Sequence, residues 1–311
     1  MELSLVLASK LLSMMIYVLV GYITVRTGIL KSDDSRILSR LTVWIVQPCM
    51  ILKAFQIELT HERIKGFIAC LILTFIVYAV WISVTALAKK PFHLDPIDQT
   101  TLIYSNVGNL ILPLVAMTLG DEMVFYGSCI QIPFNLLTWT HGVSVIRGEK
   151  TFHLRKILLN PNIIALFTGL IFLLLKVRLP GVLQTSVDGL SQMVAPMSML
   201  VVGMVIAQSD LKSVFTYKKA YGILAGRLIL YPLMVIGLLY ASGFLHRYPQ
   251  YVPFFLIPIL SFAAPPSSTI SQLSVVYDVE PLEAGIYNVM GALFCIVTMP
   301  LIVLCYQFLF A

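Results

Sequence analysis

The sequence predicts an all-α, polytopic membrane protein in which ten transmembrane helices form two inverted five-helix repeats. The first observation is composition, since 59% of the 311 residues are hydrophobic, 12% are charged and the mean hydropathy is +0.91. A soluble domain carries about 25% charged residues. The second observation is that helix-breaking residues recur at corresponding places in the two halves. The third is the odd number of spans in each half, which obliges the second half to run with inverted topology.

A helix needs about 20 predominantly apolar residues to cross a bilayer, and ten stretches of the chain meet this requirement. We expect residues 1–147 to form the first repeat, 148–159 a cytoplasmic linker and 160–311 the second repeat, all within one integral membrane domain. The predicted spans are residues 4–25, 35–54, 66–88, 99–119, 122–146, 160–177, 184–208, 217–242, 251–276 and 282–310.

Among the first three spans, only span two has a helix-breaking proline in its interior. Span one ends before Arg26 and Gly28, and span three, residues 66–88, has the composition of an ordinary crossing. Span two carries Gln47 and Pro48 in its interior, where a proline leaves a backbone carbonyl without its usual donor. Gln47 is therefore expected either to satisfy that carbonyl or to face a polar cavity.

Span four contains the segment around which the chain is organised, Ser-Asn-Val-Gly-Asn-Leu-Ile-Leu-Pro at residues 105–113. Asn106, Gly108, Asn109 and Pro113 are costly in hydrocarbon, where no water satisfies an interrupted backbone. Broken helices near the membrane midplane are typical of the substrate sites of secondary transporters. The alternative is a kinked helix whose small residues pack closely, with the asparagines capping the break.

Spans five to eight carry isolated polar or helix-breaking residues. Asn135 in span five is expected either to face the site or to hydrogen-bond another helix. Span six opens at Pro161, which suits a helix start, and Pro196 in span seven is the counterpart of Pro48. Arg227 lies ten residues inside span eight. It is either a counter-charge in an anion path or a cation that reaches backbone carbonyls or lipid phosphate.

Span nine is broken in the same manner as span four, and span ten has an ordinary composition. The broken segment reads Ser-Phe-Ala-Ala-Pro-Pro-Ser-Ser at residues 261–268. A shift of 158 residues lays Asn109 of span four over Ser267 of span nine, which supports the repeat. The breaking residues here are Pro265 and Pro266, followed by the polar residues Ser267, Ser268 and Gln272.

Charged residues are distributed unequally between the two sides of the predicted membrane. Loops after odd-numbered spans hold thirteen Lys and Arg residues, whereas the other loops hold six. Because cytoplasmic loops carry the excess of basic residues, both termini are predicted to be extracytoplasmic. The same rule explains the net charge of +6, so no nucleic-acid partner is expected. The five cysteines lie in apolar segments and are expected to pack as small hydrophobic residues.

The ionisable residues narrow the chemistry of the site. All fifteen Asp and Glu residues lie in or beside loops, so a cation antiporter that uses paired, deeply buried acids is not expected. Amide donors and the N–H groups of interrupted helices suit a carboxylate, and we predict an anionic or strongly polar substrate. No cofactor or metal is expected, and a coupling ion, H⁺ or Na⁺, stays open. The predicted substrate contacts are Asn106, Asn109, Ser267, Ser268, Gln47, Gln272, Asn135 and Arg227, and the predicted helix breaks are Gly108, Pro113, Pro265, Pro266, Pro48 and Pro196.

The order and spacing of these motifs resemble the auxin efflux carrier family of membrane transporters. Residues 105–113, followed by Gly120, are similar to the family's Asn-x-Gly-Phe-x-Gly-x-Pro segment. Pro161 resembles the start of its second half, and Pro196 and Pro265 resemble prolines of its seventh and ninth spans. Two residues depart from the family's pattern in this segment: Asn109 stands where the family has an aromatic residue, and Ile111 stands where it has a glycine. The identity of the substrate therefore stays open.

This resemblance implies a scaffold half that moves against a transport half, with spans four and nine crossing near the midplane. Members of the family transport organic anions, auxin in plants and dicarboxylates such as malate or malonate in bacteria. The short central loop, residues 147–159, favours a bacterial member in the plasma membrane. The expected partners are a small organic anion and membrane lipid, and a homodimer stays open.

Three functional hypotheses follow. The leading hypothesis is a secondary transporter of organic anions that works by elevator-like or rocking alternating access. The second is a non-transporting membrane sensor that binds a lipid or sterol on the same fold, for which an appended signalling domain would be expected. The third, an intramembrane enzyme, is disfavoured because the sequence has neither an HExxH motif nor a pair of mid-span aspartates.

Overall fold

A computed structural model describes residues 2–58, 60–148, 158–159, 161–207 and 211–310. The described residues form helices and no named strand, in agreement with the predicted all-α class. Most of the predicted linker, residues 149–157, lies outside the described residues. Four described helices are long and apolar enough to cross a membrane by length and composition: Ser32–Ala54, His61–Lys89, Lys218–Ser242 and Pro281–Phe310.

The helices of the first half fall on the predicted segments. Three of those segments are not single α-helices but contain a π-helical turn, at Thr42–Val46, Val107–Ile111 and Thr138–Gly142. The α-helices are α1 Glu2–Arg26, α2 Ser35–Leu41, α3 Gln47–Ala54, α4 His61–Lys89, α5 Pro96–Ile103, α6 Leu112–Leu119, α7 Asp121–Leu137 and α8 Val143–Arg147.

The helices of the second half include two further interruptions, a bend at Met193 and a π-helical turn at Gly226–Leu230. The helices are α9 Pro161–Leu174, α10 Gly181–Gln192, α11 Val194–Ile206, α12 Leu211–Thr216, α13 Lys218–Ala225, α14 Tyr231–Ser242, α15 Phe244–Arg247, α16 Val252–Phe262, α17 Ser268–Tyr277 and α18 Pro281–Phe310.

Prolines account for three of the π-helical turns. Pro48, Pro113 and Pro232 are each the second residue of the α-helix that follows such a turn. Proline has no N–H group, and its ring clashes with the carbonyl four residues earlier in an α-helix. A turn widened to five residues relieves that clash and leaves the chain helical. The predicted prolines of spans two and four therefore widen the helix at these points.

The helices pack as two groups. The first helix group comprises α1, α2, α3, α9, α10 and α11, and the second comprises α4 to α8, α13, α14 and α16 to α18. Within the first group α1 and α11 approach backbone to backbone, because Gly203 lies against the carbonyl oxygen of Val18 and Gly21 against that of Leu200. A Cβ atom at either glycine would overlap the opposing carbonyl, so this pair needs small residues.

Aromatic side chains fill the centre of the second helix group. Trp81 and Tyr78 of α4 pack against Phe262 of α16, with ring centroids 5.0 and 6.4 Å apart. Tyr104, which follows α5, lies 6.0 Å from the Tyr78 ring. All four side chains are fully buried. This cluster fixes the ends of α5 and α16, where both helices are interrupted.

Candidate functional site

The two breaks predicted from the sequence meet in space. Helix α5 ends at Ile103 and α16 ends at Phe262. The segments that follow these two helices run antiparallel past each other, with Ser105 opposite Pro266. Asn106 N–H donates to the carbonyl of Pro265 at 2.9 Å, and Ser267 N–H donates to the carbonyl of Tyr104 at 3.0 Å. Each broken helix thus satisfies backbone groups of the other, as a water-free interior requires. We call residues 104–106 and 263–267 the crossover.

Close packing holds the crossover in place. Gly291 of α18 lies against the ring of Pro266, and a Cβ atom at this glycine would overlap that ring. Ser267 caps α17, since its Oγ accepts a hydrogen bond from Thr269 N–H at 3.2 Å. Capping satisfies one of the free N–H groups at a helix start. The crossover therefore joins two helix starts, which carry partial positive charge, with two helix ends, which carry partial negative charge.

Arg227 lies behind the crossover and is fully buried. Its Nη1 points at the carbonyl of Leu102, in the last turn of α5, at 3.4 Å, and its guanidinium lies 4.9 Å from the centre of the Trp81 ring. Its Nε and Nη2 atoms have no hydrogen-bond partner among the described residues. A cation at the end of a helix stabilises the partial negative charge there. The contact with the Leu102 carbonyl corresponds to the second of the two predicted roles, the binding of backbone carbonyls. The Nε and Nη2 atoms are left as donors without an acceptor among the described residues.

A small cavity of about 20 Å³ opens beside the crossover, which is room for about one water molecule. It lies between the two helix groups, with Met15 and Met199 on one side and Asn106, Pro265 and Asn288 on the other. Asn288 Nδ2 donates to Ser271 Oγ at 2.9 Å. Asn288 lies in span ten, whose composition predicts an ordinary crossing, so it is not among the predicted site residues, although an amide in an apolar span is itself a signal.

Side-chain amides form a second feature at the boundary between the groups. Asn162 Nδ2 donates to Gln47 Oε1 at 3.1 Å, and Asn135 Nδ2 donates to Gln131 Oε1 at 3.1 Å. Gln47 reaches the position that a Cβ atom at Gly108 would occupy, and Gln131 Nε2 lies 2.9 Å from that position. All four amides are buried. We call these residues the amide chain. Sequence reasoning predicted Gln47, Gly108 and Asn135 but not their partners.

A larger cavity of about 300 Å³ lies between α6 and the first helix group, within the size range of small-molecule pockets. Two of the predicted prolines, Pro113 and Pro196, line it, together with Lys53 and Ser191. Lys53 Nζ is 3.8 Å from Asp188 Oδ1. The cavity therefore combines an ammonium group with a mostly apolar wall.

The predicted site residues are thus only partly brought together. Asn106 and Pro265 line the small cavity, and Pro113 and Pro196 line the larger one. Ser268 is the first residue of α17. The remaining described predictions lie outside both linings, and the side chains of Asn109 and Gln272 lie outside the part of the chain that the structure describes. The residues outside both linings are Gln47, Pro48, Gly108, Asn135, Arg227, Pro266, Ser267 and Ser268.

Comparison with known proteins identifies the family. A family model described as membrane transport protein matches residues 6–152 and 147–303, which together span almost the whole chain. No curated protein matches the chain in a sequence search. Members of this family are membrane transporters, which agrees with the long apolar helices. The resemblance seen in the motifs is confirmed, and the chain belongs to the membrane transport protein family, that of the auxin efflux carriers.

Proposed function

We propose that this integral membrane protein is a secondary transporter of small organic anions, carboxylates such as malate or malonate or an auxin-like acid. The observation that carries the proposal is the crossover, where two interrupted helices are joined by the Asn106–Pro265 and Ser267–Tyr104 backbone hydrogen bonds beside a small cavity that two amide side chains line. Broken helices that meet in this way expose helix ends to a ligand at the centre of a membrane protein.

The proposed architecture has ten membrane spans in two inverted repeats. The antiparallel pairing of Ser105 with Pro266 supports the inversion, because the two broken helices pass each other in opposite directions. The first helix group would be the scaffold and the second the transport half, which carries the crossover. Alternating access would move the second group against the first, exposing the small cavity to one side of the membrane at a time.

Three groups of positive character support an anionic substrate. The starts of α17 and of the helical turn at Val107–Ile111 lie at the crossover, and helix starts attract anions. Arg227 stands behind it with two hydrogen-bond donors that have no protein acceptor in the described residues. Lys53 lines the larger cavity through which a substrate would approach. We further propose that the protein lies in a bacterial plasma membrane with both termini extracytoplasmic. The same proposal includes coupling of transport to H⁺ or Na⁺ and assembly as a homodimer.

The test is uptake of labelled malonate or malate into proteoliposomes, with and without a pH or sodium gradient. Asn106→Ala removes the amide from the small cavity, while the backbone hydrogen bond of residue 106 is kept. Asn106→Asp has nearly the same shape and adds a negative charge. Thr185→Ala is the matched control, since Thr185 is exposed on α10 and its hydroxyl bonds only the carbonyl of Gly181 among the described contacts.

For an anion site, Asn106→Asp abolishes saturable uptake, Asn106→Ala weakens it and Thr185→Ala leaves it unchanged. If Asn106→Asp takes up malonate and malate as the wild type does, Asn106 does not contact the anion and the proposed site is wrong. If no organic anion is taken up and the purified protein binds a lipid or sterol tightly, the protein is the sensor considered above.

A further inference from the structure

Charged side chains converge at a point remote from the crossover, where α5, α13 and α18 begin. Lys219 of α13 contacts three carboxylates, Asp95, Asp98 and Glu283, with Nζ to oxygen distances of 2.8 Å for Asp98 and 2.9 Å for Glu283. The Asp98 side chain is fully buried, and that of Glu283 is 11% exposed. We call this set, with Glu280, Tyr217 and Tyr287, the Lys219 cluster.

The cluster holds the start of α5 in two ways. Asp95 is the N-cap of this helix, and Asp95 and Asp98 accept hydrogen bonds from each other's backbone N–H at 2.8 and 3.0 Å. Lys219 then ties both carboxylates to α13, and through Glu283 to α18. Since α5 has eight residues, it is about 12 Å long, and its far end leads directly into Tyr104 and the crossover. A displacement at the cluster is therefore transmitted to the crossover as movement of a short rigid rod.

The cluster holds more acid than base. Three carboxylates, those of Asp95, Asp98 and Glu283, contact one ammonium group, and a fourth, that of Glu280, hydrogen-bonds Glu283. Tyr287 Oη lies 2.6 Å from an oxygen of Asp98 and 2.6 Å from an oxygen of Glu283. A hydroxyl has one proton to donate, so Tyr287 can donate to only one of these two carboxylates at a time, and the cluster keeps an excess of negative charge.

We infer that the Lys219 cluster is a proton-dependent clamp that positions α5 and, through it, the crossover. This inference deepens the proposed function, because α5 carries half of the proposed site. We place the proton that this excess of acid favours on Glu280, whose carboxyl group hydrogen-bonds Glu283. With this proton, Glu280 donates to Glu283, and without it two carboxylates repel each other beside the start of α18. The clamp is then closed in the protonated state and loosened in the deprotonated state.

The pKa of Glu280, the exposed carboxyl group of the cluster, agrees with its hydrogen bond to Glu283. A hydrogen bond with Glu283, together with burial and the nearby charge of Asp95, raises the pKa of Glu280 to about 7. A carboxyl whose pKa is raised in the folded state stabilises that state below its unfolded pKa, and the stabilisation is lost as the pH rises through the folded pKa. The clamp is therefore expected to loosen as the pH rises through about 7.

Beside the Lys219 bridge, Tyr287 of α18 contacts Asp98 of α5 directly, and the surroundings add further charges. On α8, Arg147 lies 5.4 Å from the ring of Tyr277 at the end of α17. The other charged or titratable groups on the described elements around the cluster are Lys89, Lys90, His93, Lys218 and Asp278. Of these, Lys218 is exposed and adjacent to Lys219 in the chain, which makes it a matched control.

The test is amide hydrogen exchange of residues 97–106, measured between pH 5.5 and 8.5 in lipid nanodiscs. Observed rates are divided by the intrinsic rates at each pH, which gives protection factors. We expect wild-type protection to fall about tenfold as the pH rises through 7, the effect of one proton on a solvent-screened pair. Glu280→Gln, which mimics the protonated state, should keep high protection throughout. Lys219→Met should show low protection at every pH, and Lys218→Met should follow the wild type.

A Glu280→Gln protein with the wild-type transition would overturn the inference, as would Lys219→Met with unchanged protection. If Lys219→Met does not fold, Glu280→Gln decides alone, because Glu280 is exposed and its replacement removes no buried group. Exchange needs no substrate, so failure of anion uptake would contradict the proposed function and leave this result intact. In proteoliposomes that do transport, the uptake rate of Glu280→Gln should lose the step near pH 7 that the wild type shows.

Discussion

Adding a single methyl group at Gly108 tests whether the amide chain joins the two helix groups. In Gly108→Ala the new Cβ would occupy the place of the Gln47 amide and lie 2.9 Å from Gln131 Nε2. Gln47 must then move away from Asn162, which loses a hydrogen bond of about 1 kcal/mol and leaves a buried amide unsatisfied at a further 1–3 kcal/mol. Against this, alanine is favoured over glycine by about 0.5–1 kcal/mol in a helix. The net expectation is a loss of about 1–3 kcal/mol in the free energy of unfolding.

Thermal unfolding in detergent, followed with a thiol-reactive dye, measures this loss, because Cys70, Cys129 and Cys295 are buried in the folded protein. Gly237→Ala is the control, since a Cβ atom there meets nothing within 4 Å; it should stabilise the protein slightly. In the double variant with Gln47→Ala the methyl group has room, so the two changes should be coupled by at least about 1 kcal/mol. Additivity within about 0.5 kcal/mol would refute the contact between the groups.

Three further substitutions have separate expected outcomes. Gly203→Ala should destabilise the protein by about 1–3 kcal/mol, because its Cβ would overlap the backbone of α1; a melting temperature equal to that of Gly237→Ala would contradict this packing. Arg227→Met should change the unfolding free energy by less than about 2 kcal/mol, since the lost cation–π contact is offset by the charge no longer buried. Its anion uptake should fall sharply, and unchanged uptake would remove Arg227 from the site. Ser267→Ala should cost about 1 kcal/mol through the lost N-cap, as measured by the same unfolding assay.

Local chemistry made the interruptions predictable. Pro48, Pro113 and the pair at residues 265–266 can be recognised in the sequence because proline removes a donor wherever it stands. Each is found at or beside an interruption in the structure. Pro161 likewise begins α9 as predicted. Structural features that depend on the backbone of a few consecutive residues can therefore be predicted from a single sequence.

The partners of polar side chains were not predictable in this way. Asn162 and Gln47 are 115 positions apart, and Tyr287 and Asp98 are 189 apart. Hydropathy shows that these residues lie in or near spans, but it does not show which way each helix is rotated or which helices are neighbours. The Lys219 cluster illustrates the difficulty. Its carboxylates lie in or beside loops, as the sequence predicts, yet three helix starts meet there and bury two of them.

The sizes of the two cavities bear on how the protein would work. At about 20 Å³, the space beside the crossover has room for one water molecule but not for a dicarboxylate. The larger cavity, about 300 Å³, is lined by residues of α6 and by Lys53. Gln47, whose amide occupies the place of a Cβ atom at Gly108, lines neither cavity. If the protein transports a dicarboxylate as proposed, the small cavity must therefore enlarge before the substrate reaches Asn106, and movement of the second helix group relative to the first would enlarge it.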